Sequence, residues 1–251
     1  MIRIPLLIGL LALGLVATAD GETVQVAVAA NFSAPMKQIA SGFEAASGHH
    51  VATSLGATGK FYAQIKAGAP FQLLLSADTE TPARLESEGD AVAGSRFTYA
   101  VGTLVLWSAK NNAVSGGDVL TQHAFTHLAV ANPKLAPYGA AAVATMKSLG
   151  VLEALNNKLV FGENIAQTFQ FATSGNAELG FVALSQVLDD NGKLASGSMW
   201  IVPQQYHSPL RQDAVLLQQG KDSVAAKALL AYLKSEPAQR IIMRYGYALP
   251  P

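Results

Sequence analysis

The chain has 251 residues, no cysteine, and 17 basic against 17 acidic side chains. Half of it is hydrophobic and only 14% is charged, which is too apolar for a disordered chain, and the balanced charge offers no basic face to nucleic acid. The missing cysteines exclude disulfide scaffolds, thiolate metal sites, iron–sulfur clusters and cysteine nucleophiles.

Residues 1–19 read as a secretory signal peptide. Met1-Ile2-Arg3-Ile4 is a short basic start, Pro5 to Val16 is almost wholly Leu, Ile, Ala, Gly and Val, and Ala17-Thr18-Ala19 has the small-x-small form of a cleavage site. No later run reaches the ~18–20 apolar residues of a membrane span. The mature chain is therefore expected to be soluble and periplasmic, a compartment where lacking cysteine avoids oxidation.

Val24 to Ala30 is a β-rich run, apolar enough for a strand buried on both faces. Asn31-Phe32-Ser33 predicts a turn into an N-capped helix, with Pro35 in its first turn and Gly48 at its end. Strand Val51 to Leu55, turn Gly56 to Gly59, helix Phe61 to Ala67 and strand Phe71 to Leu75 follow, and Ser76-Ala77-Asp78 caps another helix. Tyr99 to Trp107 reads as one longer β run. Then come strand His127 to Ala131, loop Asn132 to Gly139, helix Ala140 to Leu149, strand Leu159 to Phe161, helix Asn164 to Thr173 and strand Leu179 to Leu184. Ala214 to Leu217 is a strand, and Val224 to Tyr245 is mainly helix interrupted at Pro237. The alternation implies βαβ units and an α/β fold. Two lobes are expected: residues 20–101 and 213–251 in one, 102–212 in the other.

Four strand-to-helix loops carry neutral donors: Asn31 to Ser33, Gly56 to Gly59, Tyr138-Gly139, and Gly162 to Asn164 before Ile165. Helix N-termini present unpaired N–H groups and a positive dipole end, and open α/β sheets bind ligands at strand carboxyl ends. If these loops converge, they make an anion site needing no Lys or Arg; taken singly, each reads as a cap. Gly56-Ala57-Thr58-Gly59-Lys60-Phe61 fails the Walker A spacing, which excludes a phosphate loop there, and Lys60 reads as a solvated lysine. There is no Gly-x-Ser-x-Gly elbow. His49-His50, His123, His127 and His207 lack an acidic companion at ligand spacing and read as structural or surface residues. Asp189-Asp190 beside Asn191-Gly192 reads as an exposed turn. No acid/base pair is legible; catalytic groups meet in space and not in sequence, so an enzyme stays open as the lesser alternative and a binding protein, not an enzyme, is the expectation.

Val26-Ala27-Val28-Ala29-Ala30-Asn31-Phe32-Ser33-Ala34-Pro35-Met36 resembles the opening of the periplasmic molybdate-binding proteins of ABC transporters. Gln64 to Pro70, Leu75 to Asp78, Asn132-Pro133-Lys134 with Pro137-Tyr138-Gly139, Glu163-Asn164-Ile165, Glu178 to Val182 and Arg244 to Tyr247 resemble later landmarks of that family in order. The resemblance implies a two-lobed α/β periplasmic binding protein, a type II member, closing on a tetrahedral oxyanion. It implies that Ala30, Asn31, Thr58, Tyr138 and Ile165 hold molybdate or tungstate, Ile165 through its backbone N–H, with Ser33 a spare hydroxyl. It further implies no cofactor, no cation, delivery to an inner-membrane permease, and a monomer. Ala183 stands where some members have tyrosine, and Gln72 where aspartate is usual.

Molybdate is a dianion at pH 7 with four acceptor oxygens and no proton, so a site made of donors alone suits it. Sulfate or chromate would satisfy the same donors, and only cavity size would separate them from molybdate and tungstate. The competing expectations are the same fold serving one of those ions, an exported hydrolase, or an oxyanion sensor.

Overall fold

The computed structural model describes residues 21–122 and 124–250. The expected signal peptide and His123 lie outside the described residues. The strands are β1 (Thr23–Ala29), β2 (His50–Gly56), β3 (Leu73–Leu75), β4 (Phe97–Gly102), β5 (Leu104–Ser108), β6 (Leu128–Ala131), β7 (Leu159–Gly162), β8 (Leu179–Ala183), β9 (Ser198–Ile201) and β10 (Leu210–Leu216). The α-helices are α1 (Ser33–Ser47), α2 (Thr58–Lys66), α3 (Glu80–Ser87), α4 (Val119–Gln122), α5 (Pro137–Ser148), α6 (Leu152–Leu155), α7 (Ile165–Thr173), α8 (Leu184–Val187), α9 (Val224–Tyr232) and α10 (Glu236–Arg244).

Two five-stranded sheets share one plan, in the orders β2-β1-β3-β10-β4 and β7-β6-β8-β5-β9. In each, a central strand pairs in parallel on both sides: β1 with β2 and β3, β6 with β7 and β8. An antiparallel strand, β10 or β5, then extends the sheet. The central strands are the topological switch points, where a crevice opens at the strand carboxyl ends. Val26, Ala27, Val28, Leu128, Ala129 and Val130 are fully buried, as strands covered on both faces require.

The run from Tyr99 to Trp107 is two strands and not one. β4 pairs with β10 in the first sheet, and β5 pairs with β8 and β9 in the second. Thr103 lies between them, and its carbonyl accepts from the Leu184 N–H at 2.9 Å. Continuous β propensity cannot reveal this break, because the strands differ in partner and not in residue type.

Other boundaries shift for local reasons. The first turn is a 3-10 segment, Ala30–Phe32, that runs into α1, and the residue before α1 is Phe32, which makes no side-chain cap bond. The expected side-chain N-cap of α1 is therefore absent, while Gly48 closes α1 in the left-handed conformation at φ 74°. α2 and α5 begin three residues earlier than their apolar patterns suggest, at Thr58 and Pro137. Asp78 does cap its helix: its Oδ1 accepts from the Thr81 N–H at 2.9 Å. Pro237 sits in the first turn of α10, where the ring replaces an N–H without an internal partner, so it starts a helix and does not merely interrupt one. β9 and the short helices α4, α6 and α8 had no periodic signal.

Candidate functional site

All five expected site residues border one small cavity between the sheets, lined by Ala29, Ala30, Asn31, Gly56, Ala57, Thr58 and Ala77 from one side and Ala136, Pro137, Tyr138 and Ile165 from the other. Ala30, Asn31, Thr58, Tyr138 and Ile165 are each at most 3% exposed, so the lobes are closed over it. Ser33 does not line the cavity. No charged side chain lines it either.

Each donor sits where a strand's carboxyl end meets a helix start. Asn31 follows β1, Thr58 follows β2, Tyr138 follows β6 and Ile165 follows β7. The local chemistry leaves selected N–H groups free. At α7 the Asn164 side chain accepts from Ala166 N and Gln167 N at 2.9 and 3.0 Å, and its carbonyl accepts from Thr168 N at 3.1 Å. Ile165, the first helical residue, keeps an N–H among those a helix leaves unsatisfied. At α5, Pro137 takes the first position and Gly139 and Ala140 donate to the Ala136 carbonyl at 2.9 and 3.1 Å, which leaves the Tyr138 N–H. Gly139 is required there: a Cβ would collide with the Ala131 carbonyl and push the helix start off β6. The positive dipole ends of these helices add to the donors.

The hydroxyl of Thr58 is poised to donate. Its oxygen accepts from the Ala77 N–H at 3.1 Å, with Ser76 Oγ at 3.4 Å. An oxygen held as an acceptor leaves its proton to turn into the cavity.

Two side chains expected as donors are used otherwise. Asn31 Nδ2 donates to Gln212 Oε1 at 2.9 Å and to Tyr247 Oη at 3.0 Å, which consumes both amide protons. The Asn31 carbonyl accepts from Ser185 Oγ and Tyr247 Oη, both at 2.8 Å. The Tyr138 hydroxyl accepts from Gln212 Nε2 at 3.2 Å. Both residues therefore offer the cavity backbone N–H groups. Burial pushes the Tyr247 phenol up to about 12 and those of Tyr99 and Tyr138 well above their usual range, so all three stay protonated at neutral pH.

Gln212, Tyr247, Ser185 and Tyr99 were not legible as functional. The available signal was the polar pair Gln212-Asp213, almost fully buried in the middle of β10. Lys60 is not simply solvated: its Nζ lies 2.7 Å from Glu163 Oε2 across the cleft mouth. Beside it the Gly59 N–H donates to the Leu135 carbonyl at 3.0 Å, a direct backbone bond between the lobes. Ala183 is buried and outside the cavity lining, and Gln72 Oε1 accepts from the Gln25 N–H at 2.9 Å, a purely structural use. Asp189 likewise serves the backbone, its Oδ1 accepting from Asn191 N and Lys193 N, while Glu178 Oε2 accepts from the His127 backbone N–H.

The paired sheets and the donor-lined cavity between them define a two-lobed periplasmic binding protein, and the chain belongs to the family of bacterial extracellular solute-binding proteins, whose pattern it matches over residues 24–248. Within that family it is similar to the molybdate-binding protein ModA of Azotobacter vinelandii, 60% identical over 236 residues that span 94% of this chain and 93% of that one. ModA of Rhodobacter capsulatus is 49% identical over 237 residues, 94% and 92% of the two chains. Among solved structures, the periplasmic molybdate-binding protein of Azotobacter vinelandii superposes with a TM-score of 0.88 at 39% identity, covering 91% of this chain and all of that one.

Proposed function

We propose that the protein captures molybdate, and tungstate alongside it, in the periplasm and delivers it to an ABC permease, after export by the signal peptide at residues 1–19. The observation that carries this reading is the donor-only cavity: N–H groups from Asn31, Thr58, Tyr138 and Ile165, with Ala30 beside them, and the Thr58 hydroxyl, with no carboxylate to accept a ligand proton. A hydrogen bond to a charged partner contributes about 1.5–3 kcal/mol, and several together offset the cost of burying a dianion. The same lining holds no general acid or base, so it supports binding without turnover.

The mechanism follows from the division of donors. Ala30, Asn31 and Thr58 belong to the lobe built on the first sheet, which includes β4 to Gly102 and β10 from Leu210, and Tyr138 and Ile165 to the lobe built on the second. An oxyanion reaches all of them only when the lobes close, so it favours the closed state by its differential affinity. A protein that carries its cargo singly to a permease works as a monomer. The discriminating factor against sulfate is radius, because backbone donors on fixed helix starts cannot follow a smaller ion inward.

Isothermal titration of residues 20–251 with molybdate, tungstate, sulfate and phosphate tests the reading. One-to-one binding of the first two alone is expected. Binding of sulfate in their place would keep the fold and replace the cargo, and silence with all four would refute the site.

A further inference from the structure

The hydroxyls of Tyr138 and Ser185, both from the second sheet's lobe, reach across the cleft into polar groups of the first. Ser185 Oγ donates to the Asn31 carbonyl at 2.8 Å and lies 3.0 Å from Tyr247 Oη. Tyr138 Oη meets Gln212 Nε2 at 3.2 Å. Gln212 Oε1 in turn accepts from Asn31 Nδ2 at 2.9 Å and from Tyr99 Oη at 3.1 Å. Gln212 is fully buried on β10, and Ser185, Tyr138, Asn31, Tyr99 and Tyr247 are each at most 5% exposed. The assembly is uncharged and its polar atoms have partners, so it carries neither the desolvation cost of an ion pair nor that of an orphaned group.

Gly102 makes this arrangement possible. It ends β4 at the crossing between lobes and pairs with Leu210, the first residue of β10. A Cβ there would fall on the Tyr138 hydroxyl, 3.0 Å from its Cζ and 2.6 Å from Gln212 Nε2. The φ of Gly102 is not among the positive values, so its conformation does not demand glycine. The space for the incoming tyrosine does.

We infer that Gly102, Gln212 and Tyr247 are positioning residues, a seat that receives the Tyr138 and Ser185 hydroxyls on closure and thereby sets the lobe alignment in which the oxyanion donors meet. The seat deepens the proposed function and rests on it, because it acts through closure and its residues do not line the cavity. Tyr138 is the link: its ring is held at the crossing while its N–H faces the cavity. Gly102→Ala fills the seat from the first lobe, so an open molecule tolerates it and a closed one does not.

The test combines titration with molybdate and a distance measurement. The absence of cysteine lets spin labels be placed at Gln64→Cys and Gln170→Cys, exposed positions on α2 and α7, in an otherwise unaltered chain. Gly102→Ala is expected to keep a cooperative melt, to lose at least a hundredfold in affinity, and to hold the longer label distance with molybdate present. Adding Tyr138→Phe removes the colliding hydroxyl and should recover at least tenfold of that loss. Tyr247→Phe, a milder change, should weaken binding about tenfold, mainly through faster release. Gly102→Ala binding within threefold of wild type, or a double variant weaker than the single one, overturns the seat. Wild-type protein that takes up no molybdate refutes the functional reading instead. The ligand-free distances then decide the seat: a short-distance population in wild type that Gly102→Ala lacks supports it, and equal distributions overturn it.

Discussion

Replacing Ile165 by proline removes one proposed donor while leaving the start of α7 intact. The pyrrolidine ring has no N–H, yet proline is well suited to the first helical position. α7 does not use the lost N–H: Asn164 accepts from Ala166 N and Gln167 N, and its carbonyl takes Thr168 N. The preceding residue is compatible, since Asn164 lies at φ −147° and ψ 175°, the extended region a residue before proline prefers. α5 already has this form, with Pro137 at its start. What proline does cost is side-chain packing, because Ile165 is 3% exposed. Ile165→Ala shares that loss, about 2–5 kcal/mol of stability for a buried aliphatic truncation, but keeps the N–H. The difference in binding between the two variants therefore isolates the donor. One hydrogen bond to a charged ligand gives about 1.5–3 kcal/mol, roughly ten- to 150-fold in Kd. Calorimetric titration with molybdate, alongside thermal melts, supplies both quantities. Equal affinity of Ile165→Pro and Ile165→Ala would refute a backbone role for this residue, and Ile165→Val should bind as wild type.

Thr58→Ala should weaken molybdate binding by the same roughly 1.5–3 kcal/mol while Thr58→Ser stays near wild type, because serine keeps the hydroxyl that Ala77 N–H orients at 3.1 Å; equal losses in both variants would place the methyl, and not the proton, in the site. Alkaline pH should unfold the protein through its buried tyrosines. Burial raises the Tyr247 phenol from 10.0 to about 12 in the folded state, so below pH 10 both states hold the proton and the stability contribution is complete. Between 10 and 12 the unfolded chain ionises first, and stability falls by up to about 1.4 kcal/mol per pH unit for each such group. Urea denaturation from pH 8 to 11 would show this fall, with a shallower slope in Tyr247→Phe; a stability that rises over that range would contradict the burial.

The amino-acid sequence alone determined the α/β class and the places where donors could stand. The reason is local: a strand end, a small residue and a helix start occupy fewer than ten residues, and the groups that leave Ile165 or Tyr138 N–H unsatisfied lie within four residues of it. Asn164 before Ile165 and Pro137 before Tyr138 are readable as they stand. The resemblance to molybdate-binding proteins drew on the same loops.

The tertiary structure decided what each polar group does. Asn31 carries an obvious side-chain donor, yet its amide is spent on partners far along the chain, and the Tyr138 hydroxyl is engaged as the acceptor of the Gln212 amide. Asn31 meets Gln212 and Tyr247 across separations of 181 and 216 residues, and Ser185 meets Asn31 across 154. A hydroxyl or amide is equally competent to bind a ligand or a neighbour, and only the packing of the two lobes determines which of them lies within reach. The same holds for Tyr99 to Trp107, one β-prone run that the structure divides between two sheets. Propensity sets the extended backbone, but the partner strand fixes the sheet it joins, and that choice is made by long-range contacts the local sequence does not encode.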